Sequence, residues 1–242
     1  GATSFGEKKD FSRGIAIGCA IHPDEHTKIE GVRYPSGSNL LRLMAVPLTG
    51  DGSPLVRILK MMAVCFTQFF KYFRLLFKRD WAKSTIILLV MQSLESKIRL
   101  TLGRSLLTGF CLGIVSKKQE GEIPCYLPVA QEAAVKLSTI IDGAACNIFS
   151  EVFFATPATA HVLGGAMLAN ADSDGVISPQ HEVFNYPGLY IADASVIASN
   201  LAVNPSLTIS ALTERFASQF PINSAISGHQ VPTIVFGNAG SK

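Results

Sequence analysis

The stretch from Gly188 to Phe216, GLYIADASVIASNLAVNPSLTISALTERF, constrains the chain more than any other. Gly188–Ser195 reads as a buried apolar strand that ends at Asp193, Ala194 and Ser195 in an acidic, small-polar turn. In open α/β sheets, ligands sit beyond the carboxyl ends of the strands. Asn204 then suits an N-cap and Pro205 the first helical position. Leu207, Ile209, Leu212 and Phe216 supply the apolar stripe of the helix that follows. A helix start leaves N–H groups unpaired and carries about half a positive charge, so it favours an anion or developing negative charge. On spacing alone, a well-made cap accounts for Asn-Pro better than a ligand site does.

The remaining sequence must supply a core. Of 242 residues, 48% are hydrophobic and 16% charged, enough for one large domain or two small ones. The net charge of +3 comes without a long Lys/Arg run, which gives no case for nucleic acid. Cys19, Cys65, Cys111, Cys125 and Cys146 form no C-x-x-C pair and suit free thiols in a reducing compartment. Localisation is left between cytoplasmic and membrane-peripheral; no secretory signal pattern is visible, which says little if the chain is a piece of a longer protein. His22 and His26 flank Pro23 in a turn-rich stretch, which argues against a metal site.

Along the chain, residues 14–21 read as a closely packed strand, and a short strand is expected around Lys28–Tyr34. Pro54 opens a long amphipathic helical segment reaching Lys78, interrupted by Arg57, Lys60, Lys71, Arg74 and Lys78. Its charge-free run, Met61–Phe70, is far short of the ~20 residues a membrane span needs. Ser84–Ser93 and the following SKIRLTLGRSLL are expected as consecutive strands of a hairpin. Val129–Ile141 is expected as a helix with Ala130, Ala133, Ala134, Leu137 and Ile140 on its apolar side.

Three pieces carry a family resemblance: TAHVLGGAML (159–168), GLYIADAS (188–195) and VNPSLTISALTER (203–215). In this order and spacing they resemble the C-terminal signature of the glucose–methanol–choline (GMC) flavoprotein oxidoreductases. HPDEHTKIEGVRYPSGSN, ILLVMQSLESKIRL and YLPVAQEAA resemble the family's bacterial cholesterol-oxidase-like branch. Where the family often has Pro and Cys around the Gly-Gly pair, this chain has Val162 and Ala166.

The resemblance implies FAD-dependent oxidation of an alcohol, sterol-like or otherwise hydrophobic, with His161 handling the proton and Asn204 holding the substrate oxygen. Imidazole suits that task because its ordinary pKa is near neutral. Asp193, Ala194, Asn204, Pro205 and Ser206 are implied as FAD contacts. Glu30 aligns with a carboxylate that moves a steroid double bond; an exposed strand-edge acid paired with Lys28 or Arg33 explains it equally well. The family's G-x-G-x-x-G turn is not in this sequence, so the chain reads as the C-terminal part of such an enzyme.

The fold expected is α+β: an antiparallel-sheet substrate-binding domain over 1–187, with flanking helices. The C-terminal strand and helix of a mostly absent FAD-binding α/β domain follow over 188–222, and a tail over 223–242. The implied partners are a hydrophobic alcohol, the missing FAD-binding part and a membrane surface touched by the Pro54–Lys78 segment. The alternative is an inactive fragment that binds a sterol or lipid without cofactor.

Overall fold

Six strands form one antiparallel sheet in the computed structural model, which describes residues 1–6, 9–93, 98–104, 109–117, 124–159 and 161–220. They are β1 (Ala2–Ser4), β2 (Ile17–Asp24), β3 (Thr27–Arg33), β4 (Ala45–Pro47), β5 (Thr85–Gln92) and, after two strands of a separate ribbon, β8 (Gly143–Ile148). Their order is β2-β3-β5-β1-β8-β4. The ribbon pairs β6 (Arg99–Arg104) with β7 (Leu112–Lys117), Leu102 opposite Ile114. The chain is thus a mixture of helix and antiparallel sheet.

The middle of the sheet is built from residues whose sequence gives little sign of burial. Ala2, Thr3 and Ser4 are fully buried. Their hydroxyls are satisfied internally: Thr3 Oγ1 meets Thr85 Oγ1 at 2.9 Å, and Ser4 Oγ donates to the Ile141 carbonyl at 2.7 Å. At Gly143 a Cβ would sit 2.1 Å from the Thr3 carbonyl oxygen, so only glycine lets β8 approach β1 there. Trp81, Leu75, Ala82, Ala144 and Cys146 form the apolar cluster beside it, with the Tyr34 ring 4.9 Å from that of Trp81 and tilted by 43°.

The helices are α1 (Pro54–Thr67), α2 (Phe69–Leu76), α3 (Pro128–Ile140), α4 (Phe149–Phe153) and α5 (Ser206–Ala217). α3 lies against β8 and β1, and α4 against α1. By packing, the chain divides into two compact units: Gly1–Leu163 with Ser199–Pro205, and Gly164–Ala198 with the chain from Ser206 onward. This division concerns packing within the chain; the assignment of 1–187 and 188–222 to substrate-binding and FAD-binding parts is a separate matter.

Several expectations are corrected. Gly188–Ser195 is not a buried strand. Leu189 is 52% exposed, Tyr190 makes a single isolated bridge with Glu182, and Ala194–Val196 is a short 3-10 turn. A strand needs a ladder on its flanks; here the backbone groups take partners singly, Ile191 N–H on the His181 carbonyl and Val183 N–H on that of Leu189. Ser84–Ser93 and the next strand make no hairpin, because β5 is held by β3 and β1 while β6 takes β7. The long helix from Pro54 breaks at Gln68 (φ −121°, ψ 35°), where Thr67 Oγ1 turns back to the Ala63 carbonyl. On α3, Ile140 faces out at 77% exposure and Ile141, just past the helix, is buried instead. β2 is an edge strand, largely exposed rather than closely packed.

Candidate functional site

The sheet-containing unit holds His161, Asn204, Pro205 and Glu30. His161 follows α4 through a coil in which the Thr159 hydroxyl accepts from the His161 N–H at 3.3 Å and donates to its carbonyl at 3.1 Å. That local pair fixes the backbone from which a half-buried imidazole projects. Gly164 (φ +81°) and Gly165 (φ +107°) come next, both in a conformation that disfavours any residue with a Cβ. The Gly-Gly pair beside His161 is therefore a backbone requirement.

Asn204 is half-buried and Pro205 buried. α5 begins at Ser206, one residue later than the cap reading places it. His161 and Asn204 are each engaged by neighbouring groups. The stretch Ser199–Pro205 is tied to the sheet by Asn200, a residue the sequence reading did not single out. Its amide donates to the carbonyl of Gln92 at the end of β5, and its Oδ1 accepts from Ala202 N–H at 3.0 Å. Asn two residues before a left-handed position (Ala202, φ +55°) is the local signal that marks such a turn.

Glu30 is neither exposed nor at an edge. β3 lies between β2 and β5, and Glu30 is 5% exposed. Lys28, two residues away and so on the same face, reaches its Oε1 at 2.8 Å. Arg33 instead donates to the carbonyls of Gly14 and Ile15. The other oxygen, Oε2, is buried without a hydrogen-bond partner. A buried carboxylate with one unmet oxygen is costly unless a proton or donor reaches it, which is chemistry as well as structure.

The second unit holds Asp193, Ala194 and Ser206. Asp193 caps its 3-10 turn: Oδ1 accepts the Ser195 N–H at 2.8 Å and the Ser195 hydroxyl. The Ser195 hydroxyl first, and then its N–H, hold the carboxyl of the exposed Asp193 below the usual carboxylate range, so it stays ionised. The Ser195 carbonyl is bound by Ala166 N–H at 3.0 Å, and the Ala192 carbonyl by Thr213 Oγ1 of α5 at 2.7 Å. His181 lies buried beneath the turn, with its ring on the Ile191 carbonyl at 2.9 Å. The sequence reading missed it, because a lone histidine in SPQHEV has no periodicity to mark it.

An ionised carboxylate in a rigid turn suits hydroxyl groups of a sugar-alcohol chain, and the start of a helix such as α5 suits negative charge. Both features fit what a flavin dinucleotide presents. Among the described residues, no group of three or more His, Cys, Asp or Glu side chains stands together as metal ligands do.

Residues 117–213, which include His161, Asp193 and Asn204, match the family model described as GMC oxidoreductase. The chain is 36% identical over 221 residues to a cholesterol oxidase of Acinetobacter baumannii, covering 91% of this chain and 39% of that protein. It is 37% identical over 220 residues to a cholesterol oxidase of Mycobacterium tuberculosis, covering 88% of this chain and 37% of that protein. The chain spans about two fifths of the length of these curated relatives.

Proposed function

From the premise that the chain carries the C-terminal domain of a GMC oxidoreductase, we propose that it belongs to a flavoenzyme that oxidises a hydrophobic, sterol-type alcohol. The observation that carries this reading is the family match across 117–213, which covers the first two chemistry-bearing motifs and most of the third. FAD, when bound, accepts the hydride. His161 takes the hydroxyl proton at its imidazole, and Asn204 donates its amide to the substrate oxygen, so that the oxygen is held while its proton leaves. Asp193 accepts from flavin hydroxyls; the backbone at Ala194 and the Pro205–Ser206 helix start face negative charge. Glu30, buried with one oxygen unmet, is the carboxylate for a double-bond shift if the substrate is a steroid enone precursor.

The test uses the full-length protein, including the FAD-binding part expected upstream. His161→Ala should lower turnover by about a hundredfold or more, the usual weight of a general base, with FAD content intact. Unchanged turnover removes His161 from the chemistry. The 242 residues alone should purify colourless, and co-expression with the FAD-binding part should restore flavin absorbance. Sterol binding without flavin even in the full-length protein would favour the inactive lipid-binding reading instead.

A membrane surface is the proposed source of the substrate. No described helix is long and apolar enough to cross a bilayer. Yet Phe66 and Phe70 are 87% and 80% exposed, and Phe69, Phe73 and Phe77 are exposed beside them. From Pro54 to Arg79 the chain has no acidic residue, while Lys60, Lys71, Arg74, Lys78 and Arg79 are basic. Exposed aromatics with a basic fringe suit anionic lipid head groups. In flotation, full-length protein should rise with anionic vesicles and not with neutral ones, and Phe66→Ser with Phe70→Ser should abolish this. Equal flotation of the double variant would place these rings in contact with protein instead.

A further inference from the structure

His181 has three features that a simple core histidine does not need together. It is wholly buried, its backbone is left-handed (φ +67°), and it is bonded twice to one residue. Its carbonyl accepts the Ile191 N–H at 3.0 Å, and its ring Nδ1 meets the Ile191 carbonyl at 2.9 Å. A carbonyl can only accept, so the ring proton sits on Nδ1. Nε2 is buried without a hydrogen-bond partner. The ring lies 5.3 Å from that of Phe216 on α5, which also contacts Tyr190 at 5.6 Å.

Ile191 is two residues before Asp193. The stretch between them has no ladder to hold it; it is fixed by His181 from below, Thr213 from α5 and Ala166 after the turn. Of these, only His181 grips both the N–H and the C=O of one peptide residue, and so fixes the plane and direction of the chain entering the turn.

We infer that His181 is a positioning residue: its Nδ1–H, bonded to Ile191, sets the orientation of the Asp193–Ser195 turn and thereby how firmly that turn holds FAD. The inference rests on the reading of Asp193 as a FAD contact. His181 touches no reacting atom. It acts through Ile191, and its work is done by the donor rather than by the volume of the ring or by its backbone conformation.

Those three roles predict three different orders among substitutions. Asn carries an amide nitrogen near the place of Nδ1 and tolerates a left-handed backbone. Gly tolerates the backbone but donates nothing. Phe keeps a ring but neither donates nor favours the backbone. In the full-length holoenzyme, flavin release would be followed by fluorescence, and the bound flavin by visible circular dichroism. His181→Gly and His181→Phe should each release FAD about tenfold faster, the order expected for one lost buried hydrogen bond, while His181→Asn stays close to the parent. Phe best would assign His181 to volume; Gly equal to Asn would assign it to backbone; no change in any would remove it. Each overturns the inference. Asp193→Ala is the control: if it leaves FAD release unchanged, the FAD reading of the turn fails, whereas faster release there with unchanged His181 variants fails this inference alone. Should the Gly and Phe variants not fold, the parent protein decides through its long-range 15N–1H spectrum. A proton on Nδ1 in slow exchange upholds the inference, and one on Nε2 overturns it.

Discussion

In the six-stranded sheet, Thr27–Arg33 runs opposite Ile86–Gln92 in unbroken register, so each backbone bond is backed by its neighbours. In Gly164–Ala198 the same kinds of group are met by isolated contacts: a bridge between Ile177 and Val183, another between Glu182 and Tyr190, the paired bonds between His181 and Ile191, and single bonds from Thr213 and Ala166. A ladder spreads the loss of one polar contact and is sensitive to the volume packed on it. A segment held by single bonds has the opposite sensitivity: each donor matters locally, and global stability registers it weakly. Asp193 and Ala194, two of the residues proposed for FAD, are in the second kind of region, as positions that must present groups outward usually are.

The largest effect that would sharpen this contrast is at Trp81. It is 2% exposed and packed with Leu75, Ala144, Cys146 and Tyr34. Trp81→Ala should cost about 3–5 kcal/mol, read by chemical unfolding with circular dichroism. A cost under about 1 kcal/mol, the scale of an ordinary surface change, would show that the sheet is not held by its packed volume.

Next is alkaline pH. Burial pushes the Cys146 thiol up to about 11, whereas an unfolded thiol ionises near 8.5. The unfolded chain therefore loses its proton first, and stability falls as pH rises from about 8.5 toward 11, by roughly 2–3 kcal/mol across the window. Cys146→Ala should flatten that slope whatever it does to stability at neutral pH. Disulfide-exchange labelling gives the same contrast by rate, with Cys19 and Cys111 exposed and Cys146 buried. Equal rates would break it.

This contrast also explains what could be read from the letters. The strands of the sheet were legible where apolar runs are long, as in TIILLVMQ, because β-branched content and turn residues at both ends leave few alternatives. β1 was not legible: Ala-Thr-Ser carries no apolar pattern, and its burial follows from two side-chain hydroxyl bonds made across the fold. Strand partners were misread for a related reason, since pairing of β5 with β3 and β1 rather than β6 is a long-range outcome that local pattern does not encode. In the other unit the reverse holds. The motif letters around Asp193 lie in the stretch that matches the GMC oxidoreductase model, yet they suggested a buried strand where the chain makes an irregular turn. His181 here, and Asn200 in the sheet-containing unit, each act through a pair of local contacts, and such contacts leave no period in a sequence.

A smaller effect is expected at Thr213, whose hydroxyl donates to the Ala192 carbonyl at 2.7 Å. Thr213→Val keeps the shape and removes the donor, at a cost of about 1 kcal/mol. Hydrogen exchange should quicken over 188–195 while the unfolding followed at Trp81 stays in place. A matching shift at Trp81 would mean that the two kinds of region are one cooperative structure.

The smallest effect, and the most specific, concerns Asp193. Its carboxyl is held below the usual range chiefly by the Ser195 hydroxyl and then by the Ser195 N–H. A depressed carboxyl contributes stability above its unfolded value, about 3.9, and that contribution is lost as pH falls through the lower folded value. Asp193 is exposed, so solvent screens most of this and the effect on global unfolding should be slight. The titration itself is the sharper measurement. Ser195→Ala removes the hydroxyl and leaves the N–H, so the Asp193 carboxyl signal, followed by 13C chemical shift, should titrate at higher pH, back toward the ordinary value. Thr213→Val changes no bond to that carboxylate, and its Asp193 curve should overlay the parent's. If Ser195→Ala left the curve unmoved, the turn would not be organised by its own side-chain bonds. The region would then owe its shape to contacts other than the Ser195 bonds to Asp193.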